Sequence, residues 1–140
     1  MSNNILSPAN VNFTKCNGLC IYAGSFWSVP VTVLSRENLT DSPVDISGYV
    51  GSCVIKQNVN DDVPVATPEV TISQDVTGLF TISLSSSLSL NIPTVGRSFK
   101  DVNEMFYEVN LKDIISQESY RVLYGVVEVI PACEDADDNN

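Results

Sequence analysis

The chain has 140 residues and a net charge of −10, with 44% hydrophobic and 17% charged residues. That length predicts one domain, large enough to bury a core without a metal or disulfides. The last seven residues hold four of the 17 acidic residues, which leaves 13 acids and 7 bases, or −6, on the rest. Because nucleic-acid binding needs clustered Lys and Arg, this balance argues against a nucleic-acid partner.

The N-terminus shows no basic start followed by an apolar run, and no later window approaches the length of a membrane span. We therefore expect no signal peptide and no membrane partner. The four cysteines, Cys16, Cys20, Cys53 and Cys133, would permit two disulfides. Without a secretion signal, however, reduced thiols are predicted.

Residues 1–11 contain three asparagines, Pro8 and little periodicity, which predicts an extended N-terminal arm. Ile5 and Leu6 are its only apolar pair and would anchor the arm on a neighbouring protein. A frayed terminus is the alternative.

A tight hairpin is predicted next, because Asn17-Gly18 is the strongest two-residue turn signal and lies between the runs 12–16 and 19–23. In such a hairpin the side chains of Cys16 and Cys20 would lie on opposite faces. A disulfide between them would therefore need a different turn.

Alternating apolar and polar residues predict the middle strands. Residues 25–34 place Trp27, Val29, Val31 and Val33 on one face, which we interpret as a core face. Pro30 points away and indicates an edge strand or a bulge. A polar loop at 36–40 and a turn at 42–49 are expected to follow, and then strands at 49–56, 68–73 and 78–85.

The longest β-branched and aromatic run, Ser119–Pro131, predicts a long strand that the proline ends. The run 105–112 alternates Tyr107, Val109 and Leu111 with polar residues, which indicates a strand with one solvated face. Residues 113–118 have hairpin length. The two strands should therefore pair antiparallel at the centre of one sheet.

Between these regions, residues 86–92 predict a single helical turn that packs Leu88 and Ile92 on the end of the domain. Residues 91–104 form a long loop, a length often associated with function. In sum, the patterns predict an all-β fold with about seven antiparallel strands, an immunoglobulin-like β-sandwich at 12–133, after the 1–11 arm and before an acidic flexible tail at 134–140.

The sequence offers few candidates for catalytic or metal-binding residues. It contains no histidine, the commonest general base and metal ligand. Cys53 lies in an apolar strand and should pack as a small hydrophobe. The cysteines lack zinc-site spacing, and Asp61-Asp62 lacks the pattern of a calcium loop. We therefore predict no enzyme activity, no catalytic residue, no metal and no cofactor.

Several segments, taken in order, resemble a known family. They are Gly24-Ser-Phe-Trp-Ser-Val-Pro-Val-Thr-Val33, Pro43-Val-Asp-Ile-Ser-Gly-Tyr49, Thr77-Gly-Leu-Phe-Thr-Ile-Ser-Leu-Ser85, Phe106-Tyr-Glu-Val-Asn-Leu111 and Arg121-Val-Leu-Tyr-Gly-Val-Val-Glu-Val-Ile130. Their order is similar to that in small immunoglobulin-like proteins of tailed bacteriophage particles, including the N-terminal module of upper baseplate proteins. Glu108 stands where the family usually has Asp, and residues 91–105 are inserted where the family has a short link.

The resemblance implies a non-enzymatic virion structural protein, assembled in the host bacterial cytoplasm. A head decoration (cement) protein that binds the major capsid protein is preferred, with a tail or baseplate component as the alternative. A homo-oligomer, such as a trimer on a capsid lattice, would fit this role. The candidate protein-interface residues are those of the arm and the long loop: Ile5, Leu6, Arg97, Phe99, Lys100 and Met105.

A second hypothesis is a carbohydrate-binding or adhesin-like module in which Trp27 or the tyrosines stack on sugars. Since alternation places Trp27 on the core face, quenching of its fluorescence by sugars would contradict that assignment.

Overall fold

The computed structural model describes residues 8–14, 20–37, 40–96, 98 and 100–132. Within these ranges the chain forms short and long β-strands and one short helix, in agreement with the predicted all-β class. The elements are β1 (Ala9–Asn10), β2 (Ile21–Tyr22), β3 (Trp27–Thr32), β4 (Leu34–Glu37), β5 (Thr40–Pro43), β6 (Tyr49–Lys56), β7 (Glu69–Ile72), β8 (Leu79–Leu84), α1 (Ser86–Leu90), β9 (Asn103–Asp113) and β10 (Ser119–Ile130).

Two sheets contain most of the strands. The five-stranded sheet has the order β1-β10-β9-β6, and β2 also pairs with β10. In it β6, β9 and β10 are antiparallel, whereas β1 and β2 run parallel to β10. The three-stranded sheet is antiparallel with the order β3-β8-β7, and β4 and β5 form a separate hairpin.

The predicted hairpin of the two longest strands is confirmed. β9 and β10 pair antiparallel from Ser119↔Lys112 to Val129↔Asn103. The inward side chains of β9, which include Tyr107 and Val109, are buried as the alternation predicts. A bulge shifts the register of β10 between Arg121 and Leu123.

The N-terminal region differs from the sequence prediction. Among the described residues, the flanks of the predicted hairpin do not pair with each other; Phe13 bridges Val127 and Ile21 pairs with Val129, both in parallel. The reason is that β10 offers one long edge, along which both flanks lie in turn. The Asn17-Gly18 turn itself lies outside the described residues.

The end of the predicted arm also belongs to the sheet. Ala9 and Asn10 pair with Leu123 and Tyr124, and the N–H of Val11 donates to the carbonyl of Tyr124 at 2.9 Å. The predicted arm is therefore wrong for residues 9–11, which belong to the folded domain. The 134–140 tail lies outside the described residues.

Side chains from both sheets meet in one hydrophobic core. Phe13 belongs to this core, and its ring centroid lies 6.1 Å from that of Trp27 on β3 and 5.2 Å from that of Tyr107 on β9. Trp27 and Cys53 are 5% and 3% exposed, which confirms both as core residues. Phe13 therefore links the N-terminal segment to both sheets.

Two local predictions need correction. Within the predicted polar loop at 36–40, the described residues 36, 37 and 40 instead belong to strands β4 and β5, with Arg36 paired with Asp41. The helical turn is confirmed as α1, but Leu88 is exposed and Ser89 is buried instead. The hydroxyl of Ser89 donates to the carbonyl of Ser25, and this bond fixes which side of α1 faces the domain.

The prediction that the cysteines are reduced is wrong at Cys20, which is disulfide-bonded, with its partner outside the described residues. Cys53 is a free, buried thiol, and burial raises its pKa to about 12. In the described part of the chain, no helix has the length and apolar character needed to cross a membrane.

Candidate functional site

A cleft of about 360 Å³ lies on the outer face of the five-stranded sheet. Its volume falls in the range of small ligand sites, and it is lined by residues of β1, β6, β9 and β10. The lining residues are Asn10, Asn12, Val54, Lys56, Val59, Phe106, Tyr107, Glu108, Arg121, Tyr124, Gly125 and Val126. We call this site the outer cleft.

Strand alternation explains why both apolar and charged groups line the outer cleft. One row across the sheet joins Val126, Phe106 and Lys56, and the next joins Tyr124 and Glu108 to Val54. These side chains alternate with the buried set of the same strands, so all point outward. Phe106 and Tyr124 are each 37% exposed, and their rings therefore remain available to a partner.

A polar network orders one side of the outer cleft. The Nη2 of Arg121 lies 3.4 Å from the Oε1 of Glu108, and the Nδ2 of Asn110 donates to the Oε2 of Glu108 at 2.8 Å. The guanidinium of Arg121 also lies over the ring of Tyr124, 5.7 Å from its centroid. Both carboxylate oxygens of Glu108 are thus engaged, which favours a role in orienting neighbours over a role in proton transfer.

The N-terminal segment forms the opposite wall. The side-chain oxygen of Asn12 accepts a hydrogen bond from the backbone N–H of Val126 at 2.9 Å. The hydroxyl of Tyr107 donates to the carbonyl oxygen of Val11 at 2.7 Å. Burial raises the pKa of Tyr107, so the hydroxyl keeps the proton that this bond requires. This wall is therefore anchored to β9 and β10.

Gly125 permits the close approach of this wall. A Cβ at position 125 would overlap the carbonyl oxygen of Val11 and would lie 2.8 Å from the side-chain oxygen of Asn12. Any other residue would push the N-terminal segment off the sheet and open the outer cleft on that side.

Two of the predicted interface residues, Lys100 and Met105, lie within the described part of the chain. Ile5, Leu6, Arg97 and Phe99 lie outside the described residues. Lys100 is exposed, and its N–H donates to the hydroxyl of Ser98. Met105 is buried in the core with 1% of its surface exposed, so its side chain offers no surface to a partner. Met105 is the inward neighbour of Phe106, which does reach the surface.

The outer cleft was not predicted from sequence, although one signal pointed to it. In the alternating run of β9, Phe106 lies on the same polar face as Glu108 and Asn110. An aromatic residue on that face does not pack in the core, and it therefore indicates a surface site. The Arg121–Glu108 pair and the N-terminal wall depend on register between distant strands, which alternation alone does not specify.

A scan against protein-family models found no match, and a search of the curated proteins found no similar sequence. Within the described ranges, no group of three or more His, Cys, Asp or Glu side chains could hold a metal ion.

Proposed function

We propose that this chain is a non-enzymatic, immunoglobulin-like structural protein of a tailed-bacteriophage particle, which binds other particle subunits through the outer cleft. Head decoration is the preferred role, and a tail or baseplate position is the alternative. The observation that carries the proposal is the pair of exposed aromatic rings, Phe106 and Tyr124, beside the ordered Arg121. Aromatic residues and arginine are the groups most enriched at protein interfaces.

The strand order supports the immunoglobulin-like part of this proposal. Immunoglobulin-like sandwiches have strands B, E and D in one sheet and C, F and G in the other. Here β3-β8-β7 corresponds to the first set and β6-β9-β10 to the second, in the same chain order. The N-terminal segment lies in parallel along β10, the strand that corresponds to G.

Mass spectrometry of purified phage particles, with copy number measured against the major capsid protein, tests the role. Hundreds of copies support head decoration, and six to a few tens support the tail or baseplate. Absence from particles would overturn the proposal.

Reconstitution of particles that lack the protein tests the surface. Phe106→Ala should lower occupancy at least ten-fold, because it removes an aromatic anchor from the outer cleft. Val50→Ala is the matched control, since Val50 is exposed on the same sheet outside the cleft lining. Equal occupancy for both variants would rule out the outer cleft as the contact.

A deletion tests the arm separately. Residues 1–7 should be removed and not 1–11, because residues 9–11 hydrogen-bond to β10. If the arm binds a neighbour, the deletion lowers occupancy while the melting temperature stays unchanged. Unchanged occupancy would exclude the arm and leave the outer cleft as the binding surface.

A second candidate function is carbohydrate binding in the outer cleft, favoured by the exposed ring of Tyr124, which lines the cleft together with Asn10 and Asn12. Trp27 is buried against Phe13 and is not available as a stacking platform. Titration with a panel of oligosaccharides should then shift the Tyr124 resonances in NMR spectra and leave the Trp27 fluorescence unchanged. No shift at millimolar sugar would exclude this function.

A further inference from the structure

Charge is distributed unevenly along this acidic chain. Residues 16–35 and 76–96 contain no Asp, Glu, Lys or Arg, although the whole chain has 17 acids and 7 bases. The structure places described parts of these two runs side by side, because β3 and β8 pair antiparallel from Trp27↔Leu84 to Thr32↔Leu79. Two uncharged segments that are distant in sequence therefore form one continuous surface.

The outer side chains of this surface are uncharged. Ser28, Pro30 and Thr32 point outward from β3, and Leu79, Thr81 and Ser83 point outward from β8, opposite the buried residues of the two strands. Together with Phe26 these residues make up what we call the uncharged face. Glu69 on β7, paired with Ser83, lies at its edge.

Exposed apolar groups lie at one end of the uncharged face. Phe26 is 67% exposed, and Leu88 and Leu90 of α1 are 54% and 57% exposed. This end is held in place by Ser89, whose hydroxyl accepts from the N–H of residue 24 at 2.9 Å and donates to the carbonyl of residue 25 at 2.8 Å. Because removing exposed apolar surface from water is favourable, three such side chains at one end of the face favour a protein contact there.

We propose that a second copy of this chain docks on the uncharged face. Two copies with a net charge of −10 each repel one another, and the repulsion is smallest where neither surface carries a charge. On the outer face of the five-stranded sheet, by contrast, Glu104, Lys56 and Arg121 are charged, so a second copy docking there would have to bring charged side chains into the contact. A two-fold contact joins the same patch of both copies, and on the uncharged face no like charges would lie opposite each other.

The contact is between faces and not along a strand edge. β3 pairs with β8 on one side and, among the described residues, with no strand on the other. Pro30 in β3 lacks the N–H that an added strand would need, which makes this edge a poor template for sheet extension. The neutral side chains and Phe26 therefore supply the contact.

Sedimentation equilibrium of the full chain over a range of concentrations tests the inference. We expect self-association that stays equal or becomes tighter as salt rises from about 50 to about 500 mM, because salt screens the net repulsion. An oligomer that loosens with salt would point to ion pairs and overturn the proposal, as would a monomer at every concentration.

Substitutions then locate the contact. Ser28→Glu, at an exposed position of the uncharged face, should weaken association at least ten-fold. Ser52→Glu, at an exposed position on the outer face of β6, makes the same chemical change on the other sheet and should have little effect. Phe26→Ser provides a second variant that adds no charge and should also weaken association. Far-UV circular dichroism checks that each variant is folded.

If Ser52→Glu weakens association as much as Ser28→Glu, the contact lies elsewhere and the inference fails. This inference goes beyond the particle role and does not depend on it. If self-association is not found, the proposal for the outer cleft still stands. If the chain is absent from phage particles, the proposal for self-association still stands.

Discussion

The two sheets of this protein present opposite kinds of surface. The outer face of the five-stranded sheet carries charged side chains such as Lys56, Glu108 and Arg121 around an aromatic cleft. The uncharged face of the three-stranded sheet carries serine, threonine and proline. One small domain therefore presents two chemically different surfaces. We propose that the charged and aromatic surface binds a dissimilar partner and that the neutral surface binds a second copy.

The largest effect should come from breaking the link between the sheets. Phe13→Ala removes a 4%-exposed ring that contacts Trp27 on one sheet and Tyr107 on the other. We expect a loss of about 3–5 kcal/mol in the free energy of unfolding, measured by urea denaturation. Phe13→Leu is the control and should lose markedly less. Equal losses, or none, would show that the ring does not join the sheets.

Gly125→Ala should weaken the packing of the N-terminal segment on the five-stranded sheet. The added methyl group would overlap the carbonyl oxygen of Val11 and displace the N-terminal wall, at a cost of roughly 1–3 kcal/mol. Gly48→Ala is the matched control, since a Cβ there meets nothing within 4 Å. Urea denaturation measures both variants, and hydrogen exchange should report faster exchange at Val11 and Phe13 in Gly125→Ala. A Gly125→Ala variant as stable as Gly48→Ala would contradict the close approach.

Alkaline pH should destabilise the protein through the five-stranded sheet. Burial raises the pKa of Cys53 on β6 from 9.0 to about 12, so above pH 9 the unfolded chain loses a proton that the folded chain keeps. The stabilising contribution is complete below pH 9 and falls by up to about 1.4 kcal/mol per pH unit above it.

Unfolding measured at pH 8, 9.5 and 10.5 should show this decline, and Cys53→Ala should make it shallower. Some decline should remain in the variant, because burial also raises the pKa of Tyr107. Among the described residues, β3, β7 and β8 contain only Glu69 as a titratable side chain, so the three-stranded sheet should not contribute. An identical decline in Cys53→Ala would assign the effect to other groups.

The smallest effect should come from the ion pair of the outer cleft. Glu108→Gln removes its charge, but the Arg121 and Glu108 side chains are 53% and 37% exposed, so we expect at most about 1 kcal/mol of lost stability. Glu69→Gln on the other sheet is the control for removing one negative charge. If the outer cleft binds a partner, Glu108→Gln should lower affinity more than stability, which isothermal titration calorimetry and thermal melts would separate.

The sequence predicted the elements better than it predicted their partners. β9 and β10 were predictable because Tyr107, Val109 and Leu111 alternate cleanly and a loop of hairpin length follows them. The parallel pairing of Phe13 with Val127 was not predictable, because it joins residues more than a hundred positions apart and no local turn encodes it.

The same limit applies to the candidate sites. Met105 was predicted as a surface residue because it adjoins a long loop, but it begins the buried row of β9. Gly125, inside an apolar strand, was the available signal for a close backbone approach, and its meaning depended on a segment at the other end of the chain. The uncharged face could not be predicted from the sequence alone, because its prediction requires knowing that β3 and β8 are neighbours.

The bulge in β10 has a consequence for the chemistry of the whole cleft. Counting back in steps of two from the buried Val129 and Val127 would place Arg121 in the core and Tyr120 in solvent. The extra residue shifts the inward and outward alternation of side chains by one position. As a result, Tyr120 packs against the core and Arg121 lies beside Glu108. Without this extra residue, regular alternation would bury the guanidinium of Arg121 without a partner, which would lower the stability of the fold. With it, Arg121 forms a cationic rim of the cleft.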